Sequence, residues 1–297
     1  MEESIRKAAV LIEALPYIQA FRDKIVLVKL GGSLLSHEEQ LNGTLKDVVF
    51  MHSVGIKPVV VHGGGEQISD NMRKAGLEPR FVAGYRVTDE KAIRIVKQTL
   101  LGEINTDIVR RIEEFGARAE GCSGKDEGML RVEKLCPVVR FGSPDAPGEA
   151  VDIGCVGRVI EVNVNPIQRI LENGRLPVVA TLGVTRDGQV YNVNADESAA
   201  KLAEALRAEK LVFLTDVRGL LRDPEDENSL MSSLDADIVE KLLEEKVITG
   251  GMIPKVKAAL EAVKNGVHKT HIIDGRLTHS LLLEIFTDKG IGTQIVQ

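Results

Sequence analysis

Tryptophan is absent from this chain of 297 residues, and aromatic side chains make up only 3% of it. So few rings exclude a surface built to stack bases. A net charge of −6 likewise disfavours a nucleic-acid binder held by phosphate contacts. Cysteine is scarce: Cys122, Cys136 and Cys155 are the full set, and none lies in a C-x-x-C pair. That excludes a disulfide framework and reads as reduced thiols of a cytoplasmic protein. No apolar run is long enough to cross a bilayer, and the opening "MEESIRKAAVLIEALPYIQAF" starts acidic and carries a proline, unlike a secretory signal. Neither nucleic acid nor membrane is therefore expected as a partner. Familiar motifs are missing too. No G-x-x-x-x-G-K-[ST] is present; "EGCSGKD" (120–126) has the wrong spacing and ends on Asp126. "GGSLLS" and "GGGEQI" lack the third glycine of a dinucleotide fingerprint, so a nicotinamide-dependent oxidoreductase is not supported. H-E-x-x-H fails at Leu41, and His268, His271 and His279 are close in sequence only, so no protein-held metal is expected.

What the chain does contain is alternation. Short runs rich in Val, Ile and Leu at 25–30, 58–62, 177–181, 211–215 and 269–273 read as strands buried on both faces. Helical patterns lie between them at 40–54, 66–76, 88–101, 103–115, 166–173, 195–207, 235–246, 254–265 and 278–287. This predicts an α/β fold, a three-layer sandwich with a mainly parallel central sheet shared by two lobes. Residues 116–165, with glycines, prolines and short alternating runs, predict hairpins above that sheet. Near the amino terminus Ile5, Ala8, Ala9, Ile12 and Leu15 follow a helical period, and Pro16 should kink or end that helix.

Two apolar runs lead into glycines: Gly31 and Gly32 after "IVLVKL", and Gly63, Gly64 and Gly65 after "PVVVH". Glycine after a parallel strand lets an anion approach the amides that open the next helix. It also serves plain tight turns, and either loop alone is compatible with both readings. Lys29 stands inside an apolar strand just before one loop, where a cation suits a phosphate crevice. Arg86, in "GYRVTDE", falls on a loop before a helix capped by Thr88; it suits a bidentate carboxylate ligand, but on local sequence a surface salt bridge is the plainer reading. Asn192, Asn194 and Asp196 crowd the mouth of a helix, where capping alone explains one of them. "TGGMIPKV" places Lys255 near the start of another helix.

Taken together and in this order, "KLGGS" (29–33), "VVVHGGG" (59–65), "GYRVTDE" (84–90), "NVNADESAA" (192–200), "FLTDVRGLL" (213–221) and "ITGGMIPKVKAAL" (248–260) resemble the amino acid kinase family. The likeness spans nearly the whole chain and is strongest to members that phosphorylate N-acetyl-L-glutamate in arginine biosynthesis. It implies ATP as donor, with Mg²⁺ carried on ATP and no protein metal ligand. Lys29 and Lys255 would flank the transferred phosphoryl group, and Asp196 would orient them. Gly31, Gly32, Gly64 and Gly65 would offer amides; Arg86 would hold the acceptor's α-carboxylate and Asn192 its amino-acid moiety. Thr215, Asp216 and Met252 would lie near the nucleotide. The resemblance also implies residues 22–183 as a lobe for acceptor binding and dimer formation, and 184–297 as a lobe for ATP. Relatives inhibited by L-arginine resemble this chain at both ends, which implies an oligomerisation helix at 1–21, a hexamer built as a trimer of dimers, and an arginine site at Tyr17, His271, Glu284 and Gly290. Glu66 and Ala83 depart from the residues common in relatives, proline and asparagine, which bears on acceptor selectivity. The alternatives are a kinase for a related acceptor such as N-acetyl-aminoadipate or UMP, and a non-catalytic arginine sensor. Intact Lys29, Asp196 and Lys255 speak against the sensor.

Overall fold

The computed structural model describes residues 1–140, 148–223, 225–287 and 290–297; of the segment expected to form hairpins, 141–147 fall outside it. The chain opens with α1 (Glu2–Phe21) and β1 (Ile25–Leu30), then α2 (Gly32–Leu35), α3 (Glu38–Ser53), β2 (Lys57–His62) and α4 (Gly65–Lys74). A hairpin of β3 (Phe81–Val82) and β4 (Tyr85–Arg86) precedes α5 (Glu90–Lys97). A π-helical stretch, Gln98–Asn105, joins α5 to α6 (Thr106–Glu114). Next come β5 (Ala119–Ser123), β6 (Leu130–Lys134), β7 (Val138–Val139), β8 (Glu149–Ala150), β9 (Val156–Val162) and α7 (Asn165–Glu172). β10 (Leu176–Ala180), β11 (Leu182–Val184) and β12 (Val190–Val193) lead to α8 (Ala195–Leu206) and β13 (Lys210–Thr215). The last elements are β14 (Ser233–Asp235), α9 (Ala236–Glu244), α10 (Met252–Lys264), β15 (Lys269–Asp274), α11 (Ser280–Ile285) and β16 (Thr293–Val296).

One eight-stranded sheet, in the order β14-β16-β15-β13-β1-β2-β10-β5, runs through the molecule. Its pairings are parallel except β15 with β16. The five strands read from the sequence are its centre, and their continuous apolar runs are buried as expected: Val59, Val60 and Val61 are fully enclosed, as are Leu211, Val212, Phe213 and Leu214. α3 packs with α6 and α11, while α8 packs with α10 against β1, β13 and β15, which completes a three-layer α/β sandwich. The register sets Lys29 opposite both Val61 and Phe213, so the carboxyl ends of β1, β2 and β13 finish at one edge. That edge is where open parallel sheets hold ligands.

Several expectations are corrected. The first helix does not end at Pro16, since α1 continues to Phe21; of the two outcomes expected of proline, a kink or an end, the end is ruled out. The two helices predicted at 88–101 and 103–115 are one continuous helical run, because the π-helical stretch carries the chain through Gly102 without a stop. The region after residue 116 is not hairpins alone. β5 is the edge strand of the main sheet, while β6 and β9 close a four-stranded barrel with β11 and β12. Ile5, Ile12 and Leu15 are exposed on α1.

Candidate active site

Lys29 is the penultimate residue of β1 and is 7% exposed. The strand then breaks at Gly31, where the chain passes so close to β13 that an added Cβ would lie 2.5 Å from the Leu214 carbonyl oxygen. Across the crevice, Asn194 caps α8, its Oδ1 accepting from the amides of Asp196 (2.9 Å) and Glu197 (3.1 Å). Asn194 is thus the capping residue among the three at that helix mouth. Asp196 is placed at the positive end of α8, where a carboxylate is favoured.

Two lysines converge on that carboxylate. Lys29 Nζ lies 2.8 Å from Asp196 Oδ1, and Lys255 Nζ lies 3.1 and 3.0 Å from Oδ1 and Oδ2. All three side chains are nearly buried. Burial alone would push the Asp196 carboxyl up, but the charges of Lys29 and Lys255 more than reverse this and hold it at about 2. Lys255 is lowered, first by burial and then by the like charge of Lys29, with Asp196 and Asp216 opposing. The two directions agree physically: one carboxylate serves two ammonium groups, so it is over-satisfied and they are not. Within the cluster two cations share one carboxylate in a place shielded from water, with Asp216 acting on Lys255 from outside it, an arrangement suited to an anion.

The second glycine loop faces this cluster. Gly63 to Gly65 connect β2 to α4, and Gly65 has open space where a side chain would stand. Arg86 closes the far side. It is on β4 rather than on a loop, and the following helix is capped by Asp89, whose carboxylate accepts from Lys91 and Ala92. Thr88 is not the cap; its hydroxyl donates to the Arg86 carbonyl. The Arg86 guanidinium is buried, donates to the Gly65 carbonyl (2.7 Å) and to Ser69 Oγ (2.8 Å), and lies 4.8 Å from the Phe81 ring centre. Among the described residues no acid pairs with it, so the surface-salt-bridge reading does not hold. Lys29, Gly32, Gly64, Gly65, Arg86 and Asn192 all line one cavity of about 260 Å³.

Thr215, Asp216 and Met252 lie outside that cavity. Thr215 ends β13 beside Gly31, its Oγ1 engaged with the Val217 amide and the Ile273 carbonyl, and Met252 is the first residue of α10. Of the two departures from the family pattern, Glu66 accepts from Ser36 Oγ at 2.5 Å and so ties the helices that follow the two glycine loops. Ala83 sits at φ 50 in the β3–β4 turn, a left-handed conformation that asparagine adopts more readily than alanine. No group of three or more His, Cys, Asp or Glu that could hold a metal occurs among the described residues.

Tyr17, His271, Glu284 and Gly290 meet at a separate cavity of about 550 Å³. His271 Nδ1 is 2.6 Å from Glu284 Oε1, while Glu284 Oε2 accepts from the Ile291 amide at 2.7 Å. Glu284 is held low: burial is outweighed by His271 and two backbone amides. Lys210 and Lys269 also line this cavity, and sequence reasoning passed over both. The signal was there, since each opens a strand, a lysine as anomalous there as Lys29 is near the end of β1. Burial brings Lys210 down to about 8.

A family model described as "Amino acid kinase family" matches residues 24–274. The chain is 50% identical over 293 residues to the acetylglutamate kinase of Caldanaerobacter subterraneus subsp. tengcongensis, covering 99% of this chain and 94% of that one. Among solved structures it resembles the N-acetylglutamate synthase of Neisseria gonorrhoeae complexed with coenzyme A and N-acetyl-glutamate (TM-score 0.81, 26% identity), covering 98% of this chain and 63% of the synthase. The same synthase complexed with coenzyme A and L-arginine gives a TM-score of 0.78 at 26% identity, over 97% of this chain and 65% of the synthase. The glycine loops, the buried lysine pair and these likenesses lead to one placement: the chain belongs to the amino acid kinase family.

Proposed function

We propose that this protein transfers the γ-phosphoryl group of MgATP to the γ-carboxylate of N-acetyl-L-glutamate, giving N-acetyl-L-glutamyl 5-phosphate, in the cytoplasm and as a step of arginine biosynthesis. The observation that carries the reading is the buried Lys29–Asp196–Lys255 cluster, in which two cations share one carboxylate. The acceptor carboxylate is ionised near neutral pH, since an unperturbed glutamate titrates at about 4.3. No general base is required, and catalysis reduces to positioning and charge neutralisation. Lys29 and Lys255 lie on either side of the phosphoryl group, held apart and aimed by Asp196. The amides of Gly31, Gly32, Gly64 and Gly65 add donors to phosphoryl and acceptor oxygens. Arg86 binds the α-carboxylate and Asn192 the amino-acid moiety. Thr215, Asp216 and Met252 serve the nucleotide from the 184–297 lobe, while 22–183 binds the acceptor and forms the dimer. Magnesium travels on the phosphates with water as its other ligands.

Incubation with ATP, Mg²⁺ and hydroxylamine should give hydroxamate from N-acetylglutamate and far less from free glutamate, whose charged amine meets a pocket built for an amide. Equal yields from the two acids, or turnover of UMP alone, would remove this reading.

The 550 Å³ cavity supports a regulatory site for L-arginine, with Glu284 meeting the guanidinium, His271 and Gly290 beside it, and Tyr17 of α1 closing it. Exposed Ile5, Ile12 and Leu15 give α1 an apolar stripe that a hexamer, a trimer of dimers, would bury. Deleting residues 1–21 should leave an active dimer insensitive to arginine, as read by light scattering and assay. A truncated protein that stays hexameric and sensitive contradicts this part of the proposal.

A further inference from the structure

Beneath the second glycine loop lies a buried network that the proposed chemistry does not use. His62, fully enclosed, places Nδ1 3.0 Å from the carbonyl oxygen of Gly63, and its Nε2 lies 3.0 Å from Asn105 Nδ2. Asn105 Nδ2 also donates to the Val178 carbonyl (2.9 Å). A carbonyl only accepts, so Nδ1 carries the ring proton. The imidazole is neutral, because burial lowers it to about 4 against the small opposing effect of the Gly63 carbonyl. Nε2 is then a lone pair and its partner must be a donor, which the Asn105 amide is.

Asn105 ends the π-helical stretch Gln98–Asn105. Insertions of this kind recur at functional sites because they re-aim side chains within a helix. Here the stretch sets two buried residues against the loop and a third against α4. Leu100 and Ile104 pack against Gly64 so closely that a Cβ there would run into Ile104 Cδ1, and Thr99 Oγ1 accepts from Asn71 of α4 at 2.9 Å. The carbonyl that His62 holds belongs to the Gly63–Gly64 peptide. That group is planar and trans, so fixing the carbonyl fixes the Gly64 N–H in the opposite direction, away from the imidazole, at a residue that lines the cavity.

We propose that Asn105 and His62 are positioning residues of phosphoryl transfer: Asn105 selects the imidazole tautomer, and His62 thereby sets the direction of the Gly64 amide. The proposal rests on the reading that this amide faces the reacting oxygens. Two variants of similar size separate it from a packing role. His62→Asn keeps an amide N–H where Nδ1 stands; His62→Gln reaches the Nε2 position and leaves the Gly63 carbonyl without its donor. His62→Asn should retain a kcat at least about tenfold above that of His62→Gln, with KM for N-acetylglutamate moving less than kcat in both. Asn105→Asp offers only an acceptor, so it draws the proton to Nε2 and strips Gly63 of its donor until the ring takes a second proton. The ratio of its kcat to the native value should therefore climb as pH falls from about 8 to about 6. Equal kcat for the two His62 variants, or a ratio for Asn105→Asp that is flat with pH, overturns the proposal; if Asn105→Asp fails to fold, the His62 pair decides alone. Lys29→Ala in the same assay separates the two levels. Native kcat there removes the site assignment itself, whereas its loss beside indistinguishable His62 variants removes only this inference.

Discussion

Replacing Lys29 or Lys255 by alanine is expected to lower kcat by about 10²–10³-fold while leaving the KM values within severalfold. In the resting protein the two ammonium groups converge on one carboxylate, Asp196, while the charge of Asp216 also reaches Lys255. In the proposed reaction their charge acts on the oxygens of the phosphoryl group in flight, so deletion is expected to raise the barrier more than it weakens binding. Arg86→Ala gives the contrasting pattern. That guanidinium is held by a backbone carbonyl and a serine at the far side of the cavity, so its loss should chiefly raise KM for the acid. A Lys29→Ala enzyme with near-native kcat would end the catalytic assignment of that residue.

Removing the carboxylate should have the largest effect on stability. Asp196→Ala leaves two buried ammonium groups side by side, and breaking a buried pair in this way costs about 3–5 kcal/mol. The effect has a definite pH signature. Asp196 titrates at about 2 in the folded protein and near 3.9 when unfolded. The stability it contributes is complete above the unfolded value and disappears as pH falls through the folded one. In urea titrations the gap between native protein and variant should stay wide at neutral pH and narrow between about pH 4 and about pH 2. A gap that does not change over that range would show that the carboxylate is not ionised by its lysines.

The centre of the fold was legible in the sequence for a simple reason. Strands such as 58–62 and 211–215 are buried on both faces, so they appear as unbroken apolar runs. β5 was not legible: "AEGCS" is an edge strand with a glycine and two polar residues, and only its pairing with β10 makes it a strand. Gly102 signalled a helix end because glycine weakens helices; the π-helical stretch that contains it packs against α4, β5 and β10, contacts that local sequence does not encode. Lys29 stood out because a lysine is anomalous inside an apolar strand, while its grouping with Asp196 and Lys255 was implied only by the family resemblance. His62 did not stand out, since a histidine at a strand end shows nothing of its tautomer until Asn105, 43 positions away, is brought beneath it. The Asn105–His62 bond, like the three-way meeting of Lys29, Asp196 and Lys255, is a product of topology.

The central claim is that the γ-carboxylate itself is the nucleophile, with no protein base between it and phosphorus. It is tested most directly with N-acetylglutamate labelled with ¹⁸O in that carboxylate. Hydroxylamine attacks the acyl carbon of the product and expels phosphate together with the bridging oxygen. The account predicts hydroxamate together with phosphate carrying one labelled oxygen, detected by ³¹P NMR. Unlabelled phosphate released without hydroxamate would contradict it.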